Sequence, residues 1–206
     1  MAKRLFLFLV FAIAAAGGVF ARGFSISAGA GEYFTSDFGG GIESSASGKT
    51  ETPYAGGGGF IFLDAAYAEF SLGIFGAGGT FEGQSNKSSM TLMGLDIGLL
   101  GKYPFSVNDR ISLFPLLGIT YRAMLSAKDA DKNQYKNSGG GDAGAGDFSA
   151  LWFKLGGGLD FFVTDKIYIR CTESYGMRLA NGFEKNADKS LPGHGFEMRF
   201  SVGYRF

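Results

Sequence analysis

Charged side chains in this sequence alternate with apolar ones, and this spacing limits the chemistry that they could do. Glu197 and Arg199 flank Met198, and Asp160 stands between two apolar residues. Residues two apart in a β-strand share a face, so such charges would gather on one side of a sheet. Because buried charges must be paired or solvated, their mixed signs predict mutual ion pairs. The predicted inward-facing charges are Glu69, Asp96, Lys102, Arg122, Lys154, Asp160, Arg170, Glu197, Arg199 and Arg205.

Residues for catalysis or for holding a metal are scarce. Covalent catalysis needs a nucleophile beside a base, and the sequence has one histidine, His194, and one cysteine, Cys171. The glycine runs at 56–59 and 156–158 lack the strand-to-helix context and the Lys-Ser/Thr of a phosphate-binding loop. The 19 basic and 19 acidic residues balance, which argues against a nucleic-acid partner. We therefore expect no enzymatic activity, no metal and no cofactor.

The stretch from His194 to Phe206 is the clearest element that could position these charges. From Phe196 onwards one parity is apolar, and the other carries glycine, serine and the charges Glu197, Arg199 and Arg205. Strict alternation over this length predicts a β-strand with one apolar and one polar face. The stretch is longer than the usual strand of a globular protein, about 5–6 residues. It suits a tilted transmembrane strand, which needs about 9–11 residues.

Weaker alternation upstream predicts seven more strands. Long polar loops at 35–58, 76–88, 125–147 and 180–193 alternate with short turns, as they do in membrane barrels. The sequence therefore predicts an all-β fold, an antiparallel up-and-down eight-stranded transmembrane β-barrel with its short turns on the periplasmic side. The predicted strands are Phe24–Phe34, Gly59–Leu63, Tyr67–Phe75, Ser89–Tyr103, Ile111–Met124, Phe148–Val163, Ile167–Leu179 and His194–Phe206.

The N-terminus has the composition of a secretory signal peptide. Lys3 and Arg4 precede a short apolar run, and small residues end at Ala21. We expect cleavage after Ala21, so that residues 1–21 form the signal peptide and residues 22–206 the barrel domain. The apolar run is too short to span a membrane stably.

Residue parity across the turn at Asp165 gives a register for two neighbouring strands. It places Asp160 opposite Arg170, both pointing inward, and predicts an ion pair between them. Glu173 breaks the pattern, because the same parity directs it towards lipid. A one-residue bulge near Thr172 would turn it inward, and we favour this over a position at the lipid head groups. Pro115 lacks a backbone donor, which a closed sheet has no edge to accommodate, and a local bulge near the barrel rim could absorb it.

Aromatic residues near the predicted strand ends suggest two membrane-interface girdles. One would lie on the loop side and the other on the turn side. The loop-side girdle would contain Trp152, Tyr121, Tyr33 and Tyr175, and the turn-side girdle Tyr103, Tyr168, Tyr204 and Phe206.

The chain ends on Phe206, with Tyr204 and Val202 behind it on the same face. This ending resembles that of small bacterial outer-membrane β-barrels of the OmpA, OmpX and OmpW type. The resemblance implies that these three residues are an assembly signal for the barrel-assembly machinery, and that the chain lies in the lipid of the cell outer membrane. In lipid A deacylases of this architecture a Ser stands two residues beyond the His, a place that Phe196 takes here. We do not expect the peptidoglycan-binding domain of a whole OmpA-like protein after the barrel.

Three functions remain open on the sequence alone. The first is a surface protein whose loops bind external ligands, for adhesion, host contact or membrane structure, above a lumen filled by side chains. The second is a narrow OmpW-like channel for small hydrophobic molecules, which needs an apolar lumen in its outer half. A soluble lipocalin-like carrier, with the faces reversed, is the third. Residues that could face inward for the channel are Ile61, Leu63, Phe75, Leu92 and Phe114.

Overall fold

The structure is a computed structural model. It describes residues 25–44, 48–51, 53–65, 67–82, 87–129, 131–134, 148–181 and 189–206. The predicted signal peptide lies outside the described residues, as do the first residue of the first predicted strand and parts of all four predicted loops.

The described residues form ten β-strands. Eight are long, and two short strands, β2 and β6, are added at their edges. The strands are β1 Ile26–Ser44, β2 Gly48–Glu51, β3 Tyr54–Ala65, β4 Ala68–Glu82, β5 Lys87–Lys102, β6 Phe105–Asn108, β7 Ile111–Asp129, β8 Ala150–Phe162, β9 Ile167–Asn181 and β10 Lys189–Arg205.

The eight long strands close into a barrel. Each pairs antiparallel with the next long strand along the chain, and β10 returns to pair with β1. This closing pair is long, running from Ser27 opposite Arg205 to Glu43 opposite Lys189. Closure leaves neither β1 nor β10 as a free edge, which suits a membrane interior without water to satisfy backbone groups. The predicted up-and-down eight-stranded barrel is confirmed. The described residues contain no helix that is long and apolar enough to cross a membrane.

The strands continue well into the predicted loops, so the loop bounds were wrong. β1 runs on to Ser44 and β3 begins at Tyr54, both inside the predicted loop 35–58. Likewise β4 reaches Glu82, and β7 reaches Asp129. Glycine and serine in these stretches look like loop residues, but cross-strand pairing overrides this local preference. The 19 residues of β1 would reach roughly 60 Å, more than a tilted crossing needs.

The outer face of the barrel is mainly apolar and its inner face carries charged side chains, as expected for a membrane protein. Large apolar side chains such as Ile74, Val202 and Phe200 are exposed outside, while Arg199 and Asp96 are buried inside. A soluble carrier would show the opposite arrangement, so that alternative is wrong. Lipid-facing apolar and lumen-facing polar residues alternate along the strands, which is the organisation of a transmembrane barrel.

Glycines inside the barrel leave room for rings on neighbouring strands. A Cβ atom built at Gly158 would collide with the Phe114 ring, and one at Gly203 would collide with the Tyr168 ring. Glycine is the residue that permits so close an approach. These pairs explain why Gly158 and Gly203 carry no side chain.

The bulge predicted near Thr172 is wrong, and β7 has no bulge at Pro115. Glu173 pairs with Met198 on one side and Gly157 on the other in an unbroken register, and its side chain is exposed on the outer face. Pro115 keeps its place opposite Gly157. The Pro115 nitrogen, which has no hydrogen to donate, lies beside the break between β5 and β6. There the Pro115 carbonyl accepts a hydrogen bond from the Tyr103 N–H at 3.2 Å.

The prediction of two aromatic girdles was only partly right. Tyr121, Tyr175, Tyr103, Tyr204 and Phe206 are on the outer face. Three of the predicted girdle residues instead point into the barrel, where they are 1–2% exposed: Tyr33, Trp152 and Tyr168. They share the parity of the polar face, and parity decides the direction of a strand side chain whatever its type.

Two of the five residues suggested for an apolar lumen face outward. Ile61 and Leu63 are exposed, and the inward positions of β3 belong to Phe60 and Phe62. The other three, Phe75, Leu92 and Phe114, are buried inside.

Candidate functional site: an ion network inside the barrel

Arg122 on β7 is the centre of a loop-side cluster of charges. Its Nη1 lies 2.7 Å from Asp37 Oδ2, its Nε 3.0 Å from Asp96 Oδ2, and its Nη2 3.1 Å from Glu197 Oε2. The Nη2 group also donates to Thr35 Oγ1 at 3.2 Å. One guanidinium thereby joins carboxylates from three strands, which its five planar donors allow.

Glu197 gathers two further cations in the middle of the barrel. Its Oε2 is 2.5 Å from Lys154 Nζ, and its Oε1 accepts from Arg199 Nε at 2.7 Å. Arg199 also donates to Ser71 Oγ at 3.1 Å and lies 3.8 Å from Asp96 Oδ1. Charges two residues apart on β10 thus bind each other and the neighbouring strands.

Arg170 on β9 is the centre of a turn-side cluster. It binds Asp160 with two parallel bonds, Nε to Oδ1 at 2.6 Å and Nη2 to Oδ2 at 2.8 Å. Its Nη1 donates to Glu69 Oε2 at 2.6 Å, and its Nη2 is 2.7 Å from Asp64 Oδ2. Lys102 binds the same oxygen of Asp64. Asp160 and Arg170 therefore lie opposite each other in the register that parity predicted.

Glu69 links the two clusters, because its second oxygen, Oε1, lies 3.7 Å from Arg199 Nη1. Among the described residues, the joined network contains five cations and six carboxylates, and every long strand contributes at least one. The members are Asp37, Asp64, Glu69, Asp96, Lys102, Arg122, Lys154, Asp160, Arg170, Glu197 and Arg199.

Aromatic rings fill the space around the guanidinium groups. Arg122 lies 4.8 Å from the ring centroid of Phe75 and 5.3 Å from that of Trp152. Arg199 lies 5.0 Å from the Phe60 centroid, and Arg170 is packed among three rings. A cation over a ring face contributes about 0.5–2 kcal/mol, more when water is excluded. The interior is thus packed with rings as well as paired charges.

Nine of the ten predicted lumen charges belong to this network, and Arg205 does not. Its guanidinium lies 4.4 Å from the Phe162 ring centroid. It lines a polar cavity of about 260 Å³ at the turn side, together with Lys102 and Asp64. Arg205 is therefore an inward residue of the barrel mouth.

Sequence reasoning missed Asp37 and Asp64, which bind Arg122 and Arg170. The predicted bounds place Asp37 in the loop 35–58 and Asp64 in the connection between the strands that end at Leu63 and begin at Tyr67. Each continues the inward parity of its strand, Asp37 after Thr35 and Asp64 after Phe62. Asp64 directly follows the predicted end of its strand at Leu63, whereas Asp37 lies three residues beyond the predicted end at Phe34 and just before the glycines 39–41.

Apolar side chains line the outer half of the interior, above the charges. Leu92 and Ala127 are fully buried, and Met90 is 2% exposed. They pack with Tyr54, Phe75, Ala77, Met124 and Phe148.

The remaining chemically distinctive residues lie elsewhere. The Nδ1 atom of His194 is hydrogen-bonded to the Tyr175 hydroxyl at 2.6 Å. The His194 ring stacks on Phe38. Cys171 is a free, partly exposed thiol. Within the described ranges, no group of three or more His, Cys, Asp or Glu could hold a metal ion. The proposed assembly residues Val202, Tyr204 and Phe206 all face outward.

No protein-family model and no curated protein sequence matches the chain. Among solved structures, it is similar to the outer membrane protein OprG from Pseudomonas aeruginosa, with 12% identity, 89% of this chain and 96% of that chain covered, and a TM-score of 0.48. It is also similar to Ail, the attachment invasion locus protein of Yersinia pestis, in complex with the heparin analogue sucrose octasulfate. That match has 15% identity, 89% and 99% coverage, and a TM-score of 0.43.

A third similar structure is the outer membrane protease OmpT from Escherichia coli. It has 8% identity, 91% and 99% coverage, and a TM-score of 0.46. These likenesses concern shape alone. By its own strand pairing and the chemistry of its two faces, the chain has the fold of a small eight-stranded transmembrane β-barrel.

Proposed function

We propose that the chain is an integral outer-membrane protein that holds surface loops for adhesion, host contact or membrane stabilisation and forms no open pore. The ion network carries this proposal. Its charged groups are 2–8% exposed and join all the long strands across the lumen. An eight-stranded barrel is just wide enough for side chains to fill, and here paired charges and rings fill it.

The long strands support the loop-display part of the proposal. The β1, β7 and β10 strands have 19, 19 and 17 residues, against the roughly 9–11 that a crossing needs. The extra length continues on the side of the long connections. Binding residues of rigid scaffolds are often found on such loops.

The route to the membrane is part of the same proposal. Residues 1–21 would direct secretion and be removed, and Val202, Tyr204 and Phe206 would be recognised by the barrel-assembly machinery. Outer-membrane lipid would then surround the apolar exterior. Membrane fractionation with a carbonate wash tests the location, since release of the chain into the wash would contradict it.

Two measurements test the function. Purified chain in a planar bilayer should show no stable unit conductance, and regular single-channel steps would overturn the closed lumen. Cells that display the chain should adhere to cultured animal cells or to immobilised matrix protein better than cells displaying a variant with residues 130–147 replaced by a Gly-Ser linker. Equal adhesion of both would remove the host-contact role.

The apolar outer half of the interior favours a second candidate, a narrow channel for small hydrophobic molecules. Leu92, Met90 and Met124 would line its entrance from the loop side. The ion network closes the route below, so a solute would have to leave sideways between strands. Uptake of a hydrophobic dye into vesicles that contain the chain, compared with empty vesicles, tests this candidate.

A further inference from the structure

Four buried polar atoms at the loop-side end of the interior lack hydrogen-bond partners in the described part of the chain. They are the Tyr54 hydroxyl, Trp152 Nε1, and Nε and Nη2 of Arg178. Tyr54 is 6% exposed and Trp152 1% exposed. An unpaired polar group that is buried away from water is unfavourable, so this concentration of donors requires an explanation.

A β-bulge brings Arg178 beside Trp152. Leu151 pairs with Ala180, but the next residue, Trp152, pairs with Arg178, so that Leu179 is the extra residue on β9. Bulges are common at barrel rims, where they change the direction of a side chain. Here the guanidinium carbon of Arg178 comes to lie 5.1 Å from the indole centroid.

Gly193 on β10 provides the space that the guanidinium occupies. A Cβ atom built at Gly193 would lie 2.8 Å from Arg178 Nε and 3.1 Å from its Cζ. Any larger residue would push the Arg178 side chain away. The bulge and the glycine thus act together to hold Arg178 at the loop-side end of the interior.

The Tyr54 hydroxyl approaches the same region from β3. The Tyr54 ring packs edge to face on the Phe75 ring, with the two centroids 5.9 Å apart, and Arg122 lies over both the Phe75 and the Trp152 rings. The nearby carboxylate of Asp37 is already bound, to Arg122 Nη1 at 2.7 Å and to Thr35 Oγ1 at 3.0 Å. Trp152 Nε1 and the Nε and Nη2 of Arg178 are therefore left without an acceptor among the described residues.

We propose that Tyr54, Trp152 and Arg178 form a binding site for an anionic oxygen group, a carboxylate or a phosphate. The unpaired Nε and Nη2 atoms are on one edge of the guanidinium, the fork that binds two oxygens of such a group side by side. The indole N–H and the phenol hydroxyl supply further donors. Tyr54 is the first residue of β3, and Arg178 stands three residues before the end of β9, so a ligand enters from the loop side. The site exists whether or not the lumen conducts.

The fluorescence of Trp152, the one tryptophan in the sequence, reports on this site. The full chain is refolded in a non-ionic detergent, because phosphocholine head groups would themselves present a phosphate. Sodium acetate, sodium phosphate and sodium chloride are titrated at constant ionic strength. We expect a saturable change with acetate or phosphate and none with chloride. Saturation by one of the two oxyanions alone identifies the preferred group, whereas equal responses to all three salts, or no saturation, overturn the proposal.

Variants assign the response to Arg178. Arg178→Gln should raise the apparent Kd at least about tenfold, because a charged hydrogen-bond donor is lost. Arg178→Lys keeps the charge but lacks the fork, and should bind with intermediate affinity. Arg205→Gln is the matched control, since Arg205 lies at the opposite mouth, and its titration should equal that of the parent chain.

A second route guards against a variant that does not fold, which far-UV circular dichroism would reveal. Gly193→Ala keeps every donor but displaces the guanidinium from its present position. It should weaken oxyanion binding as well. An unchanged titration in Arg178→Gln or in Gly193→Ala, in folded protein, would show that the fluorescence change arises elsewhere and would refute the site.

Discussion

The guanidinium of Arg170 binds the carboxylate of Asp160 through two parallel bonds, with Nε 2.6 Å from Oδ1 and Nη2 2.8 Å from Oδ2. The two residues are cross-strand partners on β8 and β9. Arg170 is also bound to Glu69 and Asp64, so a single side chain binds carboxylates from three strands. The stability of the barrel should depend strongly on residues of this kind.

Arg170→Met should destabilise the barrel by about 3–5 kcal/mol, because a buried carboxylate is left without its cation. Asp64 keeps Lys102 as a partner, so Asp160 is the residue most affected. Urea unfolding in lipid vesicles measures the change. Adding Asp160→Asn should restore at least about 1 kcal/mol by removing the orphaned charge. Arg205→Met, outside the network, is the control and should change stability by less than about 1 kcal/mol.

Glu173→Leu should stabilise the barrel. The carboxylate is exposed on the outer face, across from Gly157 and Met198, and a charge facing lipid is unfavourable by about 1–2 kcal/mol for an acidic group. Urea unfolding in lipid vesicles should show a free energy of unfolding that is higher by about the same amount. The same change at Glu197, inside the network, should reduce stability. A loss of stability in Glu173→Leu would mean that its carboxylate has a partner.

Gly158→Ala should cost about 1–3 kcal/mol, because its methyl group would collide with the Phe114 ring and overpacking is destabilising. Gly78→Ala provides the matched control. Nothing lies within 4 Å of a Cβ atom there, so this change should be neutral or stabilise slightly. Thermal or urea unfolding of the two variants side by side measures the difference, and equal effects would contradict the packing argument.

Phe206→Ala tests the proposed assembly signal. The Phe206 side chain is 74% exposed on the outer face, and the Phe206 N–H donates to the Ile26 carbonyl at 3.0 Å, a bond that alanine keeps. Refolding of the purified variant into vesicles should therefore change little. Assembly in cells should fall severalfold, measured as the folded fraction in outer membranes. A parallel loss in both assays would make the residue structural instead of a signal.

The alternation of side chains predicted most of the barrel, because the lipid outside and the polar lumen inside require different residues. The alternation in β10 and the turn at Asp165 were sufficient to place Asp160 opposite Arg170. Parity alone could not find Asp37, since the glycines that follow it hide the continuation of β1. Aromatic type misled us at Trp152 and Tyr168, where the neighbouring glycines that accommodate these rings are distant in sequence.

The site at Arg178 shows a different limit of sequence reasoning. The outward parity of Met177 and Leu179 already directs Arg178 inward, but which neighbours it meets depends on the bulge at Leu179. A bulge leaves no reliable mark in the sequence, because it arises from the register of two strands together. Glu173 makes the converse point, since a charge out of pattern was read as a bulge where the strand is regular.

Every long strand contributes a charge to the network, and this has a consequence for how the chain can be built. A partly inserted sheet would present unpaired ions to hydrocarbon. An intermediate that lacks one hairpin should therefore be unstable in the bilayer. Insertion and cylinder closure should then happen as one concerted event. For the same reason, exchanging a hairpin with that of another barrel would fail unless its ionic counterparts around the whole circumference were exchanged with it.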